Sequence, residues 1–370
     1  MRTTDGTVTL RAHEPTDLDD LVVMANDPAT VGSTTVPQPY TREHAEHWTT
    51  EHVPAVWRDG TGFGWAVEAR DDDGRPRFAG NLDIRAAPGA VPDLGFALAP
   101  WARGRGIMAR AVRLGTAHAF DRGLPVVHWT AHAGHLASWR VAHACGFVFH
   151  GERPLSVPHR GALRDGWSAS LRAGDPTSPR TTWWPTPELV GERVRLRAHT
   201  GADLPRIVEA CSDARTRHWL VGLPHPYTAD DARAFVRGAR LAESLGQEVT
   251  WAVADRADDR LLGNVGLFDL AAPLNPTGGE IGYWAHPDAR GRGVLTEAVG
   301  LVVAHAFRPV ADGGLGRHRL QIGAAWSNAA SRRVAERNGF VLAARFRLDG
   351  LEGDPRVLGD GAWYERLVSD

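Results

Sequence analysis

Lysine is missing from this chain of 370 residues: all 42 basic side chains are arginine. Its absence excludes Walker-type phosphate binding and Schiff-base chemistry, both of which need a lysine. Cysteine is nearly absent, with only Cys145 and Cys211, one in each half. A disulfide framework is thereby excluded, and a reducing cytoplasm is the expected setting. No apolar run reaches the length of a membrane span, and the polar Met1 to Leu10 stretch does not read as a signal peptide. A net charge of −2 gives no electrostatic case for nucleic acid. The 17 histidines show no metal-ligand spacing, so no metal is expected. No Gly-x-Ser-x-Gly elbow occurs either.

What is present is a repeat. Val8–His13 recurs at Val194–His199, Pro39-Tyr40-Thr41 at Pro226-Tyr227-Thr228, and Trp65-Ala66-Val67 at Trp251-Ala252-Val253. Ala102–Gly106 matches Ala289–Gly293, His118-Ala119-Phe120 matches His305-Ala306-Phe307, and Gly146-Phe147 matches Gly339-Phe340. Most pairs are offset by about 187 residues, as two copies of one domain give. The later change of offset falls at Arg308 to Arg317, a Gly-rich insertion that reads as a surface loop. Residues 1–173 and 188–370 are the expected domains. The Pro-, Ser- and Thr-rich stretch 174–187 reads as their linker, with Trp183 and Trp184 expected to pack rather than stand in water.

In the second copy Glu280–Ala285 reads as a strand ended by His286-Pro287. A helix begins near Val294, with Val294, Ala298, Leu301 and Val302 on one face. Arg319–Ala324 is a second strand, and Asn328–Arg337 a second helix capped by Gly339. Strand, glycine turn, helix and strand in that order predict two parallel strands around a crossover helix. Between the first strand and the helix lie Arg290, Gly291, Arg292, Gly293, Val294, Leu295 and Thr296. Glycines there let backbone N–H groups converge beside the positive end of a helix dipole, an anion site suited to a pyrophosphate. Arginines beside it add charge-assisted contacts. The first copy repeats the pattern as Arg103, Gly104, Arg105, Gly106, Ile107 and Met108.

Together with Arg195-Leu196-Arg197, Leu262–Gly266, Glu280–Trp284, Asn328–Ser331 and Asn338-Gly339-Phe340, these segments resemble the GNAT superfamily in its ribosomal-protein N-acetyltransferase type. The resemblance covers both halves nearly end to end. Arg290 and Gly293 match the family pattern Arg/Gln-x-x-Gly-x-Gly/Ala, whereas Leu295 stands where Gly or Ala is usual; Arg103, Gly106 and Met108 repeat this in the first copy. It implies two tandem α/β domains, each with a mixed sheet that splays open, using acetyl-CoA or another acyl-CoA as co-substrate. The pantetheine arm is expected along the backbone near Ala285, the thioester carbonyl at the N–H near Tyr283, and the pyrophosphate over Gly291 to Thr296.

Because an amine must lose a proton before it attacks, a base is wanted near the opening, and Glu280 is the candidate. Its alternative is an ordinary strand carboxylate facing solvent. Ser331 or Tyr283 is expected to protonate the leaving thiolate, and Asn328 to bond the pantetheine; helix capping is the alternative for Asn328 and Ser331. The first copy has Asp93 for Glu280 and His135 for Asn328 but keeps Ser138 for Ser331, which makes it the degenerate member. Cys145 reads as a buried core thiol. The loops Pro37 to Thr41 and Trp219 to Thr228 are expected on the acceptor side. The expected activity is N-acylation of a peptide or protein N-terminus or a small metabolite. The rival readings are a non-catalytic acyl-CoA-binding or interaction module and an acyltransferase with a longer donor.

Overall fold

The computed structural model describes residues 2–353 and 355–370. The chain divides into two compact units, one ending at Arg180 and the other beginning at Thr181, inside the stretch read as a linker. That stretch is not a free spacer. Arg113 donates to the carbonyl of Thr177, and Arg180 to that of Gly146, within the first unit. In the second, Thr181 donates to Ser244, Trp184 N–H to the carbonyl of Glu243, and the Trp251 indole to that of Pro187.

The first unit contains β1 (Thr3–Thr4), β2 (Val8–Arg11), β3 (Gly62–Arg70), β4 (Pro76–Arg85), β5 (Asp93–Leu98), β6 (Val126–His132), β7 (Val148–His159) and β8 (Ala162–Arg172). Its helices are α1 (Leu18–Asn26), α2 (Pro28–Ser33), α3 (Arg42–His47), α4 (Val53–Arg58), α5 (Ile107–Asp121) and α6 (Leu136–Ala144). The second contains β9 (Leu189–Val190), β10 (Val194–Arg197), β11 (Val249–Asp255), β12 (Leu261–Phe268), β13 (Gly278–Ala285), β14 (Arg319–Ala325), β15 (Val341–Glu352) and β16 (Val357–Leu367). Its helices are α7 (Leu204–Ser212), α8 (Ala214–Trp219), α9 (Ala229–Ser244), α10 (Val294–Phe307) and α11 (Ala329–Arg337).

Both sheets have the same order, β1-β2-β3-β4-β5-β6-β8-β7 and β9-β10-β11-β12-β13-β14-β16-β15. Each is antiparallel except for one parallel pair, β5 with β6 and β13 with β14, as the crossover pattern required. Of the stripe expected of its sequence, helix α10 buries Val294, Ala298 and Val302 and leaves Leu301 partly buried; with Ala306 they pack against Val253, Val265, Leu320 and Ile322 of the sheet.

The insertion at Arg308 to Arg317 differs from its reading as a plain surface loop. Pro309 to Gly313 is exposed, but Leu315 returns to the core and Arg317 is buried, donating to the carbonyls of Leu315, Leu270 and Pro276. Gly-rich composition reports the exposed part and is silent about one apolar residue that anchors it.

Candidate active site

The parallel pairing of β13 with β14 covers only Gly278↔Arg319, Gly279↔Leu320 and Glu280↔Gln321. Beyond Glu280, β13 stays paired with β12 as far as Ala285, while β14 follows β16 as far as Ala325. The two strands therefore part, and Ile281 to Ala285 offers an edge to the gap.

Helix α10 starts just past that edge. Gly291 (φ 72°) and Gly293 (φ 75°) both lie in the left-handed region, where a side chain is strained, so glycine is required twice within three residues. As N-cap, Gly293 brings no side chain to bond the first helical turn. The amides of Val294, Leu295 and Thr296 thus lack an intrahelical acceptor, and all three residues, with Gly291 and Gly293, line a cavity of about 330 Å³. Arg290 serves differently from the phosphate contact expected of it. Its guanidinium donates to the Asp213 carboxylate and, at 2.7 Å, to the Thr216 hydroxyl, tying the loop to the N-cap of α8. The loop is braced by its arginine and presents its backbone. Arg292 is exposed at the tip. The cations that sequence reasoning missed are Arg215, Arg333 and Arg337, which also line the cavity. Arg333 and Arg337 lie one turn apart on α11, a spacing visible in the sequence but without meaning until the helix is placed.

Tyr283 and Ser331 meet at the parting of the strands. Their hydroxyls are 3.0 Å apart, and the phenol lies 3.1 Å from the Ser331 carbonyl. Burial pushes the Tyr283 phenol up to about 12, which keeps it protonated at neutral pH. Asn328 does cap α11: its Oδ1 accepts the Ser331 N–H at 3.1 Å, which leaves its NH₂ group for the cavity that it lines. Glu280 is half-buried and has no ion-pair partner among the described residues. Burial, with the like charge of Asp269, raises its carboxyl above the ordinary value, so this is not a strand carboxylate in open solvent.

A second cavity, about 320 Å³, lies on the Glu280 side of this pair. The two cavities share Trp219, Leu220, Tyr283, Asn328 and Ser331 as a common wall. One of the two loops expected on the acceptor side does supply Trp219 and Leu220, but its Tyr227 is in the core, as is Tyr40 of the other. Further lining comes from the β15–β16 hairpin through Asp349, Glu352, Asp360 and Trp363, none of which the sequence singled out.

The family model described as "Acetyltransferase (GNAT) domain" matches residues 7–148 and again 193–341. This chain belongs to the GNAT acetyltransferase family. It is 31% identical over 136 residues to "Probable N-acetyltransferase YjcK" of Bacillus subtilis, covering 36% of this chain and 72% of that one. It is 32% identical over 113 residues to the ribosomal-protein-serine acetyltransferase of Escherichia coli, covering 30% and 58%. Among solved structures, the RimL ribosomal L7/L12 alpha-N-protein acetyltransferase with coenzyme A covers 49% of this chain and 98% of its own, at 20% identity and a TM-score of 0.42. The protein is an acetyl-CoA-dependent N-acetyltransferase that moves an acyl group from acyl-CoA to an amine. The uncapped helix start and the arginines around the first cavity fit the anionic end of that co-substrate.

The first GNAT domain keeps the cradle, with Gly104 at φ 73° and Gly106 at φ 72°, the latter again an N-cap without a side-chain bond. Arg103 is tied as Arg290 is, to Asp27 at 2.6 Å and to Thr30 at 3.2 Å. Arg105 donates to the carbonyl of Arg70 and lies over the Trp101 ring. Ile107 and Met108 are buried. The acyl end has changed. Phe96 stands where the repeat puts Tyr283, so there is no phenol. The Ser138 hydroxyl accepts the Trp129 indole N–H at 3.0 Å. Asp93 is paired with Arg85 at 2.6 Å. His135, at the N-cap of α6, makes no capping bond. Trp139 packs against Trp129 and Phe149, and Phe149 against Trp167, where α6 meets β6 to β8. Cys145 is a core thiol as expected, buried, bonded to the Ala109 carbonyl and pushed up to about 12 by burial.

Proposed function

We propose that the second domain carries the reaction, with acyl-CoA in the first cavity, the amine in the second and the chemistry where they meet. The observation that supports this is the common wall containing the hydrogen-bonded Tyr283–Ser331 pair, with Glu280 on the amine side. The thioester supplies the activated acyl carbon. Gly291 to Thr296 hold its diphosphate through backbone amides, Arg215, Arg333 and Arg337 add positive charge, and the Ala285 edge and the Asn328 NH₂ group orient the pantetheine. Glu280 takes a proton from the entering ammonium, and the nitrogen lone pair forms the C–N bond. The carbonyl charge is met at the Tyr283 N–H. The C–S bond breaks with its electron pair going to sulfur, and the Tyr283–Ser331 pair returns a proton to it. Glu280 passes its first proton to water and then takes the second from the nitrogen, and that proton restores the Tyr283–Ser331 pair. The net change is an ammonium plus thioester giving amide, thiol and one proton.

In the first domain Phe96 replaces the phenol, Asp93 is paired with Arg85 and Ser138 is bonded to Trp129, and that domain serves as a scaffold. A cytoplasmic setting fits the free buried Cys145 and Cys211. The E. coli relative's name offers a ribosomal-protein amine as one acceptor.

Thiol release from acetyl-CoA, followed across a panel of amines, tests the assignment. E280Q is expected to lower kcat/KM about 10²–10⁴-fold, the range for a lost general base, with CoA binding retained. Unchanged rates in E280Q against every amine that the wild type uses would remove the base. If the wild type releases no thiol with any amine, the non-catalytic acyl-CoA-binding module is the better reading.

A further inference from the structure

The two cavities that meet at Tyr283 and Ser331 differ in charge. Arg215, Arg290, Arg333 and Arg337 line the cofactor side. The acceptor side is lined by Glu280, Asp349, Glu352 and Asp360, with no basic side chain among its described residues. Much of the rest is glycine and alanine backbone, including Gly282, Gly323, Gly350 and Gly361, so the carboxylates and two indoles supply most of the recognition chemistry.

The fold itself accounts for one of these carboxylates. The β15–β16 hairpin bulges between Phe346 and Gly350, with Leu348 at φ 52°. Asp360 holds that bulge by accepting the Leu348 N–H at 3.1 Å and pairing with Arg345 at 2.7 Å. The first domain has the same device: Leu155 at φ 46°, with its N–H bonded to Asp165 at 3.0 Å. The repeat is an internal control, and it separates Asp349 and Glu352 from the rest. Their equivalents are Ser156 and His159, on a hairpin with the same bulge and a turn two residues shorter. The hairpin therefore does not need two carboxylates there.

Neither has an ion-pair partner among the described residues. Asp349 accepts the Trp363 indole N–H at 2.6 Å, and Glu352 accepts the Ser327 hydroxyl. Asp349 is exposed and Glu352 half-buried, and one neutral donor leaves each with unused acceptor capacity and no side-chain cation beside it among the described residues. The Trp363 and Trp219 rings on the same walls offer faces to a cation or to an alkyl chain.

We propose that the acceptor is a small polycationic amine. It carries, besides the ammonium that yields its proton to Glu280, a second ammonium held by Asp349 and Glu352. This rests on the assignment of catalysis to the second domain and names the substrate class of that site. The second ammonium keeps its protons throughout and is a positioning charge, so the balance of the transfer step is unchanged. A monoamine brings one ammonium, which satisfies Glu280 alone and leaves the other two carboxylates without a counter-charge.

The test uses the full chain and two readouts. Thiol release from acetyl-CoA is compared for butylamine, 1,4-diaminobutane, spermidine, a 2-deoxystreptamine aminoglycoside and a neutral serine-first peptide. At least a tenfold higher kcat/KM for the polycations than for butylamine and the peptide is expected. The linear and aminocyclitol arms distinguish which polycation fits. In the double variant Asp349→Asn, Glu352→Gln that ratio is expected to fall toward one, with calorimetric binding of CoA showing that the fold persists. Equal use of butylamine and the polycations, preference for the peptide, or a ratio untouched by the double variant overturns the proposal. Calorimetric binding of spermidine to CoA-loaded protein separates it from the catalytic assignment. If no amine is acylated, that assignment fails, but spermidine binding weakened at least tenfold by the double variant still upholds the site, and no binding ends it.

Discussion

At Glu280 desolvation acts on two quantities at once. Burial lifts the carboxyl above its ordinary value, so the folded chain holds the proton more tightly than the unfolded chain does. Ionisation then works against the fold: stability falls as pH rises from the ordinary glutamate range through the raised value. E280Q is expected to raise Tm at neutral pH, with the gain shrinking toward zero in acid well below the glutamate range, where both side chains are neutral; calorimetric melts at the two pH values check this. With Glu280 as the proposed base, turnover is expected to move the other way, since only the ionised carboxylate accepts a proton: wild-type kcat/KM drops as pH falls through the raised value. Tyr283→Phe removes the phenol but keeps the ring, and is expected to lower kcat more than Ser331→Ala does. Single-turnover thiol release measures both. Glu280, Tyr283 and Ser331 were legible in the sequence because one strand and one helix start carry them. Asp349 and Glu352 were not, because the hairpin that brings them to the cavity follows β14 and α11 in the chain and bears no local signature.

Among the elements, the second strand of each domain, β2 and β10, is held by an arginine–aspartate pair shielded from solvent. Arg197 donates to Asp203 at 2.8 and 2.9 Å, and Arg11 to Asp17 at 2.7 and 2.8 Å. Burial pushes the Asp203 carboxyl up, but the hydrogen bonds from Arg197 and from the Thr200 backbone outweigh it and leave it below its ordinary value. Its contribution to stability is therefore complete above the unfolded carboxylate value and is lost as pH falls through the lowered folded one. Asp203→Ala leaves the partly buried Arg197 guanidinium with Asp259, at 2.8 Å, as its remaining carboxylate, and is expected to cost about 1.5–3 kcal/mol, read from urea unfolding at neutral pH. The Arg-Leu-Arg segment carried part of the family resemblance, but the partner six residues on is recognisable only once the chain has turned through the short helix Gly201–Asp203. Arg290 teaches the same lesson. Its place beside the glycines suggested phosphate, whereas Asp213 and Thr216, far back in the chain, claim its guanidinium. Propensity and spacing placed β13, α10, β14 and α11 correctly because each is set by its own residues. Long-range pairings are not.

For the whole molecule the repeat made the two-domain plan readable, and the divergence between the copies supports the proposal that the second one acts. Both retain left-handed glycines at the start of the crossover helix, so both keep the cradle. Only the second retains a phenol, a serine hydroxyl bonded to it and a carboxylate without a guanidinium partner. A bulky residue in each cradle in turn isolates the consequence. Gly293→Val forces a branched side chain into the left-handed region, at about 1–2 kcal/mol or more, and carries it toward the Arg193 guanidinium. It is expected to abolish turnover at ordinary acetyl-CoA concentrations. Gly106→Val imposes the same backbone strain on the first domain and is expected to leave kcat unchanged within experimental error. Restoring the phenol with Phe96→Tyr in the Gly293→Val background is expected to rescue nothing, because Asp93 remains paired with Arg85 and Ser138 remains bonded to Trp129. Thiol release by the three proteins decides the matter: activity that follows Gly106 rather than Gly293 reverses the assignment of the domains.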